Sequence, residues 1–199
     1  MTSIVSALAQ FLLVLALAGV AFLAFGRKRK SFGQFTGLYP APPRSILFGA
    51  LLGVAFALLI FAVPGSAEAL RSPGTVTGDA VRTGVNGSVI VALIATALIK
   101  TSLTEELLFR GLIGKQLIGW LGFRIGNAIQ AALFGAAHLL LLLAPDVTTG
   151  FAIGMVVFTG LMGWVNGWLN EKYGGGSILP GWAAHAAANL CSYLSVVLL

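Results

Sequence analysis

The apolar positions of this chain come in repeated stretches of about 20 residues, each long enough to cross a hydrocarbon layer of about 30 Å as a helix. Six spans are predicted from that pattern. The first covers Ser3 to Phe25 and the second Ile46 to Val63. The third runs from Ser88 through the charged stretch "SLTEELLFRG" at residues 102–111. The fourth covers Gly126 to Ala144, the fifth Gly150 to Leu169, and the sixth Ser177 to the end. The expected fold class is all-α: a polytopic membrane helix bundle with its active site in a polar cavity between helices.

The connections carry their own signals. Gly26 to Ser45 holds the basic block Arg27, Lys28, Arg29 and Lys30 and then "LYPAPPRS", whose prolines break a helix and predict an ordered or interfacial loop. Pro64 to Gly87, with Glu68, Arg71, Asp79 and Arg82, is predicted as a short amphipathic or irregular connection. The chain reads as one membrane domain over 1–199, in which 1–87 contribute two spans with their loops and 88–199 the core. The first span is too long for a signal-peptide core and lacks a basic n-region and a small-residue cleavage site, so it is expected to stay attached. The fifth helix carries Gly150 with Gly154 and Gly163 with Gly167, a spacing that lets helix backbones approach closely in lipid, and is expected to lie buried among its neighbours.

Composition agrees with the pattern. The 199 residues are 58% hydrophobic and 9% charged, far from the soluble balance of about 45–50% apolar and about 25% charged. A net charge of +6 raises nucleic acid as a partner, but four of the cations form the block directly after a span, where they set orientation. Nucleic acid is therefore not an expected partner. The single cysteine, Cys191, excludes an internal disulfide and a cysteine-rich metal site. With the loop after the first span in the cytoplasm, that side collects Arg27, Lys28, Arg29, Lys30, Arg44, Lys115, Arg124 and Lys172, against Arg71 and Arg82 opposite. That distribution predicts a multi-pass protein of the cytoplasmic membrane of a prokaryote, with both termini outside the cytoplasm and the site toward the cytoplasmic side.

Charge inside a span costs roughly 2.5–3.5 kcal/mol on insertion scales, so Glu105, Glu106 and Arg110 need partners, water or a role. Residues four apart share a helix face, which pairs Glu106 with Arg110. Glu105, about 100° away, has no sequence-local partner. The chain has two histidines, His138 in "LFGAAHLLL" and His185 in "GWAAHAAANL", both inside apolar spans, and Asn189 follows His185 by one turn. At 1.5 Å per residue from the expected cytoplasmic ends, Glu105 lies about 18 Å deep, His138 about 21 Å, His185 about 17 Å and Asn189 about 22 Å. These stations share one layer. They predict a single polar cavity between helices, in which carboxylate, imidazole and amide satisfy one another or hold water.

"EELLFR" (Glu105, Glu106, Arg110), "FGAAH" (Phe134, His138) and "HAAAN" (His185, Asn189) resemble, in order, the EExxxR, FxxxH and HxxxN motifs of the CPBP family of intramembrane proteases. That family includes CAAX prenyl endopeptidases and bacterial bacteriocin-immunity or abortive-infection relatives. The resemblance covers about Thr104 to Asn189. It implies an intramembrane endopeptidase in which Glu105 and His138 hold and activate a water while His185 and Asn189 stabilise the oxyanion. Glu106, Arg110 and Phe134 would support the site. The expected substrate is a membrane-associated peptide or protein, CAAX-like or of the bacteriocin or leader type.

Glutamate-activated water is the favoured mechanism and needs no cofactor. The alternative is divalent zinc on Glu105, His138 and His185, a His₂Glu set, although the chain has no HExxH. Two other classes remain open from the residues alone: a catalytically silent scaffold that confers immunity by contact, and a small proton or ion transporter, since intramembrane Glu and His also mark such paths. The chain shows neither inverted repeats nor paired broken helices.

Overall fold

In hydrocarbon a backbone must satisfy its own polar groups, and a helix does so within a single segment. The computed structural model describes residues 2–28, 30–143 and 147–198, and among these it forms helices and no strand. Arg29 of the basic block, Ala144 at the expected end of the fourth span, and Leu199 lie outside the described residues.

Helix α1 (Thr2–Ala21) continues through a wider turn, Phe22–Gly26, and stops where the basic block begins. The short α2 (Phe32–Thr36) opens on a capping box: the Ser31 hydroxyl accepts from the Gln34 N–H, and the Gln34 side chain accepts from the Ser31 N–H. Helix α3 (Pro43–Leu59) uses Pro43 at its first position, where the missing N–H costs nothing. Two short helices follow, α4 (Ser66–Arg71) and α5 (Val76–Thr83), the latter capped by the Thr75 hydroxyl accepting from the Gly78 N–H. They form the predicted amphipathic connection, with Arg82 paired to Asp79.

The central stretch is one long helical path. Helix α6 (Gly87–Ala95), capped by Asn86, runs through two wide π-type turns, Thr96–Leu103 and Glu106–Gly114, into α7 (Lys115–Ala137). Inside α7 the chain breaks at Gly122, whose φ of 78° is one that side chains rarely adopt. The chain reverses there: a Cβ on Gly126 would fall 2.5 Å from the backbone nitrogen of Ile118. A tight helical turn over His138–Leu143 ends this arm. Helix α8 (Thr149–Trp168) and the wide turn Leu169–Tyr173 lead to α9 (Leu179–Leu198).

The result is an all-α polytopic bundle. Among the described residues, four segments are long and apolar enough to cross a membrane: Ser3–Gly26, Pro43–Ala62, Gly87–Leu143 and Thr149–Tyr173. The count differs from six for two physical reasons. The expected third and fourth spans are the two arms of the 57-residue Gly87–Leu143 segment, and α9 carries Pro180, His185, Asn189, Ser192, Tyr193 and Ser195, which keep it from standing among the most apolar helices. The outer faces expose Leu12, Leu13, Leu47, Leu51, Val157 and Leu161, as a surface bathed in lipid tails should.

Helix α9 packs most closely against α3. A Cβ on Gly49 would fall 2.2 Å from the carbonyl oxygen of Pro180, and one on Gly53 2.2 Å from that of Ala184. The small-xxx-small spacing expected to matter on the fifth helix therefore matters most on the second. On α8, Gly163 and Gly167 do meet α7 side chains, whereas Gly150 faces open space. The proline loop is ordered and tied to the α8–α9 connection. The Tyr39 hydroxyl donates to the Gly175 carbonyl (2.9 Å), Ser177 Oγ donates to the Tyr39 carbonyl (2.6 Å), and the Ile178 N–H donates to the Gly37 carbonyl (3.0 Å). Burial and the nearby Glu171 carboxylate raise the Tyr39 phenol above its ordinary pKa, so it remains a donor.

These contacts give a test of the α3–α9 seam. Gly53→Ala places a methyl against backbone and should lower stability by about 1–3 kcal/mol. Gly119→Ala, where a Cβ meets nothing within 4 Å, should leave it unchanged or slightly raised. Thermal denaturation of the two purified variants measures the difference.

Candidate active site

Glu106 has no solvent-exposed surface, and every polar neighbour converges on its Oε1. Arg110 Nη1 lies 3.4 Å away, one turn along the same path. The Asn166 side-chain amide donates to it from α8 at 3.0 Å, and His185 Nδ1 approaches from α9 at 3.4 Å. Gly181 makes that approach possible, since a Cβ there would sit 2.8 Å from Glu106 Oε2. The Arg110 guanidinium lies 4.1 Å from the centroid of the Phe134 ring, so one face of the cation rests on an aromatic instead of on lipid. The expected Glu106–Arg110 pair is present, and it is a three-helix junction.

Glu105 points elsewhere, as the 100° step requires. Its side chain keeps 27% of its surface exposed, and its nearest charged neighbour is His185 Nε2, 3.8 Å from Oε2. His185 therefore stands between the two carboxylates, one ring nitrogen facing each. Phe134 packs edge-on against both histidines, 5.1 Å from His138 and 6.0 Å from His185 between ring centroids. His138 Nδ1 lies 2.9 Å from the Phe134 carbonyl oxygen. A carbonyl only accepts, so Nδ1 carries the proton and Nε2 keeps its lone pair.

Glu105, His138, His185 and Asn189 line one cavity of about 110 Å³, together with Phe134 and Thr101. Phe56, Phe158 and Met162 of the hydrophobic core form its apolar wall. Its neighbour, a chamber of about 490 Å³, shares Ile60, His138 and Met155 with it and is walled by Leu70, Ser72 and Phe151. That wider approach is walled by α4 and the connection from α4 to α5.

A family described as Rce1-like, type II CAAX prenyl endopeptidase Rce1-like, matches residues 87–191. The match takes in more than half of the chain and all three motif helices. The chain belongs to the Rce1-like family. No curated protein and no solved structure matches it. Membership places this integral membrane protein among membrane proteases acting on membrane-associated peptides.

Two observations bear on the chemistry of this Rce1-like site. Asn189 does line the cavity, but its amide nitrogen donates to Thr101 Oγ1 (2.8 Å) and Ser102 Oγ (3.1 Å). Those hydroxyls donate onward to the Thr96 and Ala97 carbonyls, at 2.9 and 2.6 Å, so they can only accept from the amide. Zinc was the alternative on Glu105, His138 and His185. Although all three line the cavity, no three His, Cys, Asp or Glu side chains among the described residues are grouped as a set that could hold a metal ion.

A supporting polar layer on α7 and α8 escaped the motif reading. Gln130 donates to Asn127 Oδ1 and to the Gly163 carbonyl, both at 2.9 Å. Asn127 donates to the Trp164 carbonyl (3.0 Å), and Asn170 Oδ1 accepts from the Gly181 N–H (2.7 Å). Polar side chains inside apolar spans are outliers on the same insertion scale that singled out Glu105, and that signal was available. Arg110→Ala strands the buried Glu106 carboxylate and should cost about 3–5 kcal/mol of stability. Glu105→Ala, removing a half-exposed and loosely paired group, should cost under about 1 kcal/mol. Denaturation of the two variants in the same detergent separates these roles.

Proposed function

We propose that the chain is an intramembrane endopeptidase that hydrolyses a peptide bond of a membrane-associated substrate, CAAX-like or of the bacteriocin or leader type, with water activated by Glu105. One observation carries this reading: a half-exposed carboxylate, two imidazoles and an amide from three helical segments line one small cavity inside an apolar bundle. A water between Glu105 and the lone pair of His138 Nε2 gives its proton to the Glu105 carboxylate as its oxygen adds to the substrate carbonyl carbon. The resulting oxyanion is met by His185, acting with an N–H on both ring nitrogens so that Nδ1 faces Glu106 and Nε2 the cavity, and by the Asn189 amide, once that amide exchanges one of its bonds to Thr101 or Ser102. Collapse of the tetrahedral intermediate breaks the C–N bond, and the proton held by Glu105 passes to the leaving amine. Glu106, held by Arg110 and Asn166, fixes the His185 ring, and Phe134 packs both imidazoles in place.

No step is routed through a metal. The 490 Å³ chamber, apolar apart from Ser66, Ser72, Thr75 and His138, suits an apolar substrate segment. The functional core is residues 88–199, the first two spans acting as wall and frame of a single domain. The eight-to-two distribution of cations places the basic end in the cytoplasm and both termini outside it.

Glu105→Ala and His138→Ala should each lower cleavage of a quenched membrane-peptide substrate by about 10²–10⁴-fold, and Asn189→Ala by about 10²–10³-fold. Wild-type activity should persist after dialysis against a chelator. Cleavage surviving in both the Glu105 and His138 variants would refute the mechanism.

A further inference from the structure

A second large cavity, lined by none of the motif residues, lies between the end of α1 and the first half of α7. It measures about 610 Å³ and is walled by Phe25, Phe35, Leu112 and Trp120, with Lys30 and Lys115 contributing its charge. We infer that this pocket binds an anionic glycerophospholipid, one acyl chain lying in the apolar groove and the phosphate held by the two lysines.

Three observations point to that occupant. The first is charge. This end of the bundle carries Arg27, Lys28, Lys30, Lys115, Arg124 and Lys172, and the only acid there among the described residues is Glu171. Lys115 donates to Glu171 Oε1 at 2.6 Å, which leaves Lys30 and its neighbours uncompensated. An ammonium has three protons, so Lys115 can serve Glu171 and a phosphate oxygen together. Basic pockets between transmembrane helices at the charged membrane face are the usual seats of acidic headgroups.

The second is placement. Trp120 is 77% exposed and Phe25 83% exposed, each next to the lysines and at the end of a span, as aromatic residues at a headgroup boundary are. The third is shape. The groove continues over Gly119, where a Cβ would meet nothing within 4 Å, so the helix surface is left bare beside an indole. A free phosphate would use the lysines and leave this apolar channel empty; a diacyl lipid uses both.

The experiment uses the full chain purified in a neutral detergent. Its thermal midpoint is followed against dioleoylphosphatidylglycerol, dioleoylphosphatidylcholine and inorganic phosphate, with native mass spectrometry to count bound lipid. The acidic lipid should bind about fivefold or more tightly than the zwitterionic one, the effect of roughly one lysine at a membrane face. Lys30→Glu should remove that preference. Gly119→Leu, whose Cβ enters open space and whose side chain occupies the groove, should weaken both lipids while leaving the lipid-free midpoint unchanged or higher. Equal affinity for the two lipids, or indifference to both substitutions, overturns the inference. A midpoint shift reproduced by phosphate alone overturns it in favour of an anion site without a chain. None of these readouts requires catalysis, so the outcome stands apart from that of the cleavage assays.

Discussion

The buried carboxylate of Glu106 is the constraint around which the site is organised. An ionised group with no exposed surface in a membrane bundle is tolerable only if several donors reach it, and here they come from three directions: Arg110 on its own helix, Asn166 on α8 and His185 on α9. Each donor gains from the carboxylate and is positioned by it. The imidazole of His185 cannot turn away without losing that contact, and its other nitrogen is thereby presented to Glu105. Two adjacent glutamates thus serve different purposes. The enclosed one organises the protein, and the half-exposed one borders the cavity.

Close helix approach makes this convergence possible. Lipid tails are as apolar as leucine side chains, so helices in a bilayer associate through close packing and hydrogen bonds. Gly49 and Gly53 let α9 lie against α3, Gly181 lets α9 reach Glu106, and Gly163 leaves room for Arg110 beside α8. The wide turns on either side of Glu105 redirect the chain through the motif. Such turns are frequent where a helix carries function. Phe134 closes the arrangement by touching the Arg110 guanidinium and both histidine rings at once.

The two ends of the bundle differ in chemistry. One is ringed by cations and aromatic side chains around a deep groove. The other carries the short amphipathic helices α4 and α5 over a chamber that joins the polar cavity at His138. The motif cavity lies between them and draws its walls from α3, the central path, α7, α8 and α9. Membership of the Rce1-like family rests on residues 87–191, but Phe56 of α3 and Ile60 just beyond its end, outside that stretch, complete the cavity wall.

Much of this was legible in the residues alone. Apolar stretches of membrane length dictate helices, because only a helix satisfies its backbone within hydrocarbon. A charged or imidazole side chain inside such a stretch is costly enough to mark itself, which is how Glu105, Glu106, Arg110, His138 and His185 stood out, and the four-residue spacing paired Glu106 with Arg110. Other features depended on long-range packing that no local spacing encodes. The reversal at Gly122, the seating of α9 on Gly49 and Gly53, and the commitment of the Asn189 amide to Thr101 and Ser102 are of this kind. Periodicity along a chain states which face a side chain occupies, whereas the distance between two faces is set by how their helices pack, and only the tertiary structure determines that.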